Sequence, residues 1–325
     1  MLSARIKKTL RRLNFFQEKN MKITNKLLLS VLVLTLVLLL GLLAGCSKPA
    51  PAPSPAPAAP TGGSRQMHNP TSLVNVAELK ELMERDDVVV VDVSERANNV
   101  IPGAIWIDRN SFHREVDGNR QGVQTLEVHE QLLGQNGIGN DTIVILYCDN
   151  NNLHAARIFW QLRGIGHRDL RLLDGGTKAW VAAGESTQNS AAAPGPARTY
   201  RAINRMGSVR ADLADVLDAT NNPNWSILDI RNPTEFGRGR VPGATLLTYP
   251  GEFVNENGTF KAVQEYERLF ANIPRTNKII VYCGSSVRSS TAFFILTEFL
   301  GWPHRVLNYE GSWNNYSWSN SPVER

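Results

Sequence analysis

The chain carries one α/β pattern twice, and this duplication limits its possible folds more than any other feature. Val88-Val89-Val90-Val91-Asp92 is a short apolar run closing on an acid, and Ile227-Leu228-Asp229 answers it in the second half. Pro102-Gly103-Ala104 and Pro242-Gly243-Ala244 follow these runs. Each half then reaches a second strand-like run ending in Tyr-Cys, Ile143 to Cys148 and Ile279 to Cys283. An apolar-periodic helix comes next, with Ile158, Phe159 and Leu162 in one copy and Phe293, Phe294 and Leu296 in the other. Gly166 and Gly301 stand near its end, where a glycine suits a C-cap. A further strand runs to Asp174-Gly175-Gly176 and to Glu310-Gly311-Ser312. The matched order at an offset of roughly 135 to 140 residues reads as a tandem duplication.

Strands alternating with helices predict parallel sheets covered on both faces, an α/β fold in each copy. A helix is expected before each first strand. Val76, Leu79, Leu82 and Met83 line one, with Asn75 as its N-cap, and Leu213, Val216 and Leu217 line the other. Ser190-Ala191-Ala192-Ala193-Pro194-Gly195-Pro196 breaks every pattern. The expected divisions are therefore 67–184 for the first domain, 185–199 for a linker and 200–325 for the second domain.

The N-terminus has a different character. Eight Lys or Arg precede residue 46, Leu27 to Leu43 is almost unbroken Leu and Val, and the run closes on Leu43-Ala44-Gly45-Cys46. A charged lead, an apolar stretch and a small-residue cleavage site have the order of a secretory signal, expected over 1–45. Met21 offers a second start, with Lys22 and Lys26 as its basic lead. Cys after Leu-Ala-Gly resembles the bacterial lipobox, so Cys46 is the expected lipidation site and the new N-terminus. An uncleaved transmembrane anchor is the alternative, since the apolar run approaches the ~20 residues that span a bilayer. Both readings place the remainder on the extracytoplasmic face of a cell membrane. The Pro/Ala-rich stretch to residue 66 reads as an extended stalk.

The whole-chain charge of +5 belongs to the leader. From residue 46 onward there are 27 basic and 29 acidic residues, a net of −2. This balance gives no electrostatic footprint for nucleic acid. Only Cys148 and Cys283 lie beyond residue 46, too few for a disulfide framework. A single bridge between them stays open.

In open α/β sheets, ligands bind beyond the carboxyl ends of the strands. Cys283 stands at such an end, and Cys283-Gly284-Ser285-Ser286-Val287-Arg288 leads into a helix expected to start near Ser289. Backbone N–H groups at a helix start face an anion placed there. Together with the charge of Arg288 they favour a thiolate, which makes Cys283 the candidate nucleophile. Gly284, Ser285, Ser286, Val287 and Arg288 are the candidate anion-binding loop. Asp229, ending its strand at the same edge, is expected to support that loop. His113, His129, His154, His167 and His304 lack ligand spacing, so no metal site is predicted. Trp160, Trp180, Trp302 and Trp313 are expected in the core.

The loop, followed by Leu300-Gly301-Trp302-Pro303 and Tyr309-Glu310-Gly311-Ser312-Trp313, resembles the catalytic domain of two-domain rhodaneses, the sulfurtransferases. Ile101-Pro102-Gly103-Ala104, Ala155-Ala156-Arg157 and Leu173-Asp174-Gly175-Gly176 are similar to their first domain. The resemblance spans roughly 73–320. It implies a ping-pong reaction in which Cys283 takes sulfur from a donor such as thiosulfate and passes it to a thiophilic acceptor, with no metal or organic cofactor. Cysteine phosphatases place five residues between Cys and Arg; here there are four.

Two departures from the family stand out. Its fourth loop position is commonly Gly and here is Ser286, a residue strained if φ is positive. Thiosulfate rhodaneses carry an Arg six residues after the acid of the first strand; here that position is Glu235. Arg231, Arg238 or Arg240 are the candidate replacements, Arg231 foremost. These departures keep a second reading open, a tethered rhodanese-like module that binds or carries sulfur without turnover. Cys148 precedes a loop with no Arg and with Asp149 beside the sulfur, so the first copy is expected to be inactive.

Overall fold

A computed structural model describes residues 67–302 and 306–325. The expected signal, the Cys46 lipidation site and the stalk lie outside the described residues. Among the described residues no helix is long and apolar enough to cross a membrane.

The first half contains β1 (Leu73–Val74), α1 (Val76–Leu82), β2 (Val88–Asp92), β3 (Ile105–Trp106), β4 (His113–Val116), β5 (Asn119–Val123), α2 (Leu126–Gln135), β6 (Ile143–Tyr147), α3 (Leu153–Gly164), β7 (Leu170–Leu173) and α4 (Gly176–Ala182). Five of its strands form a parallel sheet in the order β1-β7-β6-β2-β3. The second half contains β8 (Arg210–Ala211), α5 (Leu213–Thr220), β9 (Trp225–Asp229), α6 (Pro233–Arg238), β10 (Thr245–Leu246), α7 (Val263–Leu269), β11 (Lys278–Tyr282), α8 (Val287–Phe294), β12 (Val306–Tyr309) and α9 (Ser312–Tyr316). Its parallel sheet, β10-β9-β11-β12-β8, repeats the first when read in reverse. The register also repeats: Asp92 faces Tyr147, and Asp229 faces Tyr282.

Local chemistry sets the element boundaries. Asn75 caps α1 in a reciprocal box with Glu78, and Asp212 does the same for α5 with Asp215. Gly166 ends α3 at φ +82, and its N–H donates to the Arg163 carbonyl. The helix after Cys283 starts at Val287, two residues before its expected start. A π-helical turn, Ile295–Phe299, extends it.

Side chains alternate across each sheet, and this alternation decides where the cysteines point. On β6, Val144 and Leu146 face one core while Ile143, Ile145 and Tyr147 face another. Cys148 continues the first set. On β11, Ile279, Val281 and then Cys283 share one face, with Ile280 and Tyr282 on the other. Cys148 and Cys283 both enter the apolar core shared by the two halves, which also holds α3 and α8. Phe159 and Phe294 meet edge to face there, 4.9 Å between centroids.

The segment expected as a linker has no helix or strand, yet it is bound to the first half. Gln188 pairs with Val100, Ala192 N–H reaches the Ala104 carbonyl, and Arg198 N–H reaches that of Gly134.

Candidate active site

Each half covers the strand ends of the other. The β4–β5 hairpin lies over the second sheet: Val123 N–H donates to Glu310 Oε1 at 2.6 Å, and Asn119 Nδ2 donates to the Glu310 carbonyl at 2.6 Å. In return, Phe260 N–H donates to Asp174 Oδ1 at 2.8 Å, and Tyr249 Oη donates to the Asn151 carbonyl at 3.1 Å. Asp174 and Glu310 occupy matched places in the repeat. The two cysteine loops therefore lie where the halves meet.

Cys283 to Ser286 form the turn between β11 and α8, and Val287 and Arg288 open the helix. Cys283 is 1% exposed. Its N–H faces Ser312 Oγ at 3.3 Å, and Ser289 Oγ approaches its sulfur at 3.7 Å. The carbonyls of Cys283 and Gly284 accept from Trp313 N–H at 2.9 Å and Asn314 N–H at 3.0 Å. Both carbonyl oxygens are thereby tied to the start of α9.

Ser286 adopts φ +62, so the condition under which Ser is strained at this position is met. The surrounding bonds fix it there. Its carbonyl accepts from Ser290 Oγ at 2.8 Å and Asn308 Nδ2 at 3.2 Å, and its hydroxyl accepts from Arg157 Nη1 at 2.7 Å. Asn308 also accepts from Ser289 Oγ at 2.7 Å, which ties β12 to the first turn of α8.

Arg288 is half-buried and paired. Its Nη1 and Nη2 donate to the two Glu235 oxygens at 2.7 and 2.8 Å. Those hydrogen bonds hold the Glu235 carboxyl below the usual glutamate range. Glu235 is also the N3 residue of the α6 capping box, and its N–H donates to Asn232 Oδ1 at 2.8 Å.

Arg231 is placed differently from its expected role as an anion ligand. It is buried, with Nε and Nη2 on Asp229 at 2.9 and 2.6 Å and Nη2 also on the Gly239 carbonyl at 2.7 Å. Trp313 covers its guanidinium at 4.4 Å. The cause is local: two residues past the strand end, the side chain folds back on the acid that closes the strand. Trp313, expected in the core, is instead the half-buried lid of this pair. Asp229 also accepts from Tyr282 Oη at 2.6 Å, and that phenol accepts from Val241 N–H at 3.2 Å. Arg238 and Arg240 lie outside the loop, and Arg240 pairs with Glu324.

The first copy lacks this apparatus. Cys148 is a free, buried thiol, as is Cys283, so no bridge joins them. Burial pushes the Cys148 thiol up to about 11. The position two past Asp92 is Ser94 rather than Arg, and Asp92 Oδ2 is buried without a partner.

Arg157, Asn308 and Ser289 make contacts at this site that the sequence alone does not assign to them. Arg157 stands between Ala156 and Ile158 in the apolar stretch of α3, but nothing local says which loop it reaches. Asn308 and Ser289 carry no comparable mark, because their importance comes from the loop that folds between them.

The model of the rhodanese-like domain matches this chain twice, over residues 75–183 and 212–318. The chain belongs to the rhodanese family. A putative thiosulfate sulfurtransferase of Saccharopolyspora erythraea is 35% identical over 268 residues, covering 75% of this rhodanese and 92% of its relative. The sulfur carrier protein TtuD of Thermus thermophilus is 33% identical over 274 residues, covering 76% and 94%. Among solved structures, SseA from Escherichia coli superposes with a TM-score of 0.68 at 24% identity, over 75% of this chain and 99% of that one. This likeness shows the shared fold. Tandem rhodanese domains and these relatives make the protein an enzyme of the sulfurtransferase type.

Proposed function

We propose that the protein is an extracytoplasmic sulfurtransferase that moves sulfane sulfur from a donor such as thiosulfate to a thiophilic acceptor through a persulfide on Cys283. The observation carrying this reading is the placement of Cys283 at the base of a tight loop that opens a helix, with no carboxylate among the described residues bonded to the loop except through Arg288. In the first half-reaction the Cys283 thiolate attacks the outer sulfur of thiosulfate. The new S–S bond forms as the old one breaks, and sulfite leaves with the electron pair. In the second, a thiophile such as cyanide takes the outer sulfur, and the S–S electron pair returns to the Cys283 thiolate. Gly284, Ser285, Ser286 and Val287 offer loop N–H groups to the anionic sulfur. Neither step changes the number of protons, and a general acid is unnecessary.

The reading includes a lipid anchor at Cys46 and an outward-facing location on the cell membrane. Its support is the Leu43-Ala44-Gly45-Cys46 sequence behind a basic, apolar leader. Metabolic labelling with a fatty acid, lost in Cys46→Ala, tests it; a soluble, unlabelled wild type would overturn it.

A second reading, a carrier that hands the persulfide sulfur to a protein, draws on the Arg288–Glu235 pair. That pair leaves little free charge for a small dianionic donor. Thiosulfate-to-cyanide transfer by the wild type, absent in Cys283→Ser, supports the enzyme reading. A stable persulfide that cyanide does not remove supports the carrier.

A further inference from the structure

The buried charge beside the nucleophile comes from the half of the molecule whose own cysteine loop has no arginine. Arg157 sits on α3 of the first half and is 1% exposed. Its Nη1 donates to Ser286 Oγ at 2.7 Å and faces the Ser286 carbonyl at 3.5 Å, and its Nη2 donates to the Gln121 carbonyl. With the Gln161 amide turned to satisfy both of its ends, Gln161 Oε1 accepts from Arg157 Nε at 3.3 Å. Trp160 lies 4.4 Å from the guanidinium carbon. All of these partners are neutral. Among the described residues no carboxylate forms an ion pair with Arg157. A buried cation without a counter-ion is costly, and proteins rarely keep one without a use. The buried acid of the same region, Glu310, is bonded to Val123 N–H and to Arg210 Nη1 rather than to Arg157, and the Cys283 loop is what Arg157 reaches. His113 lies within its field, unpartnered at Nδ1.

The repeat supplies an internal comparison. Arg157 stands five residues after Asn152, the cap of α3, and Thr291 stands five after Ser286, the cap of α8. Thr291 is neutral, and its buried Oγ1 has no partner. Of two equivalent positions on two packed helices, only the one facing the Cys283 loop bears a cation. Arg288, the cation closer in sequence, is already neutralised by Glu235.

We propose that Arg157 is the positioning residue of the Cys283 site: it holds Ser286 in its left-handed conformation and supplies the buried countercharge of the Cys283 thiolate and persulfide. The role rests on Cys283 being the nucleophile. It also gives the inactive half a part in the reaction, because separating the halves would remove the charge.

The test follows alkylation of Cys283 by iodoacetamide against pH, a readout independent of turnover. Wild type, Arg157→Lys, Arg157→Met and Ser286→Ala are compared, all in a Cys148→Ser background. The charged groups near the sulfur are Arg157, Arg288 with Glu235, Glu310 and His113, and only the first is altered. Arg157→Met is expected to move half-maximal alkylation upward by about 1 pH unit or more, with Arg157→Lys recovering most of the shift. Turnover number should fall on the order of tenfold, with a smaller change in KM. Should Arg157→Met not accumulate as folded protein, Ser286→Ala reads the same link and is expected to give a shift in the same direction. Superimposable alkylation profiles in wild type and the folded variants would overturn the proposal. Slow, pH-insensitive alkylation in the wild type would instead remove Cys283 as nucleophile.

Discussion

Glu235 grips Arg288 with both carboxylate oxygens, at 2.7 and 2.8 Å, and so cancels the one cation that the loop itself carries. Both side chains are about a quarter to a third exposed, at 32% and 25%. Water and salt screen such a pair, and its effect belongs to substrate charge more than to stability. Glu235→Gln keeps the capping contact to Asn232 and frees Arg288. The expected outcome is a fall of about twofold to fivefold in KM for thiosulfate at low ionic strength, shrinking as salt is added. Steady-state kinetics at two salt concentrations checks it; an unchanged KM at low salt would mean that Arg288 does not face the donor.

The Asp229–Arg231 pair works in the opposite regime. Both side chains are buried, and Tyr282 completes the network. Asp229→Asn leaves a buried guanidinium without its counter-ion and is expected to cost roughly 3–5 kcal/mol in urea unfolding. The double variant with Arg231→Met should recover part of that loss. A cost below about 1 kcal/mol for Asp229→Asn would show that the site is open to water.

Acid should unfold the protein through its histidines. Burial lowers His113 to about 2 and His154 to about 4, and it lowers His129 and His167 as well. A histidine depressed in the folded state takes up its proton mainly after unfolding, so stability is full above the unfolded value near 6.5 and is lost as pH falls below it. Each such group contributes a slope of about 1.4 kcal/mol per pH unit between its unfolded and folded values. Melting temperature measured from pH 7 to pH 4.5 should fall steeply, and His113→Gln should flatten the curve. An unaltered slope in that variant would place His113 in water.

The fold was legible in the sequence because a duplicated pattern constrains itself. Asn75 and Asp212 cap equivalent helices, and Val144-Leu146-Cys148 and Ile279-Val281-Cys283 keep the same parity on equivalent strands. The site was half legible. The Cys283 loop could be read from local residues, since a turn of that length into a helix depends on neighbours in the chain; the positive φ of Ser286 was only a condition raised by the family's usual Gly. The fates of Arg231 and Arg157 could not. Arg231 is consumed by an acid two residues away, and Arg157 reaches a loop 129 residues distant that only the packing of α3 on α8 brings close.

Cys148 is expected to be silent. Its thiol is buried and pushed up to about 11, and the residue that follows it is an acid, Asp149. Cys148→Ser should leave turnover within about a factor of two, while the hydroxyl it places in the apolar core lowers the melting temperature by several degrees. Loss of transfer in this variant would give the first copy a share in the chemistry.

The most direct test of the account is the intact mass of the protein after incubation with thiosulfate and removal of small molecules, for wild type, Cys148→Ser and Cys283→Ser. One added sulfur atom is expected on the first two, removed by cyanide, and none on Cys283→Ser. An added sulfur that persists in Cys283→Ser, or none on any of the three, would contradict it.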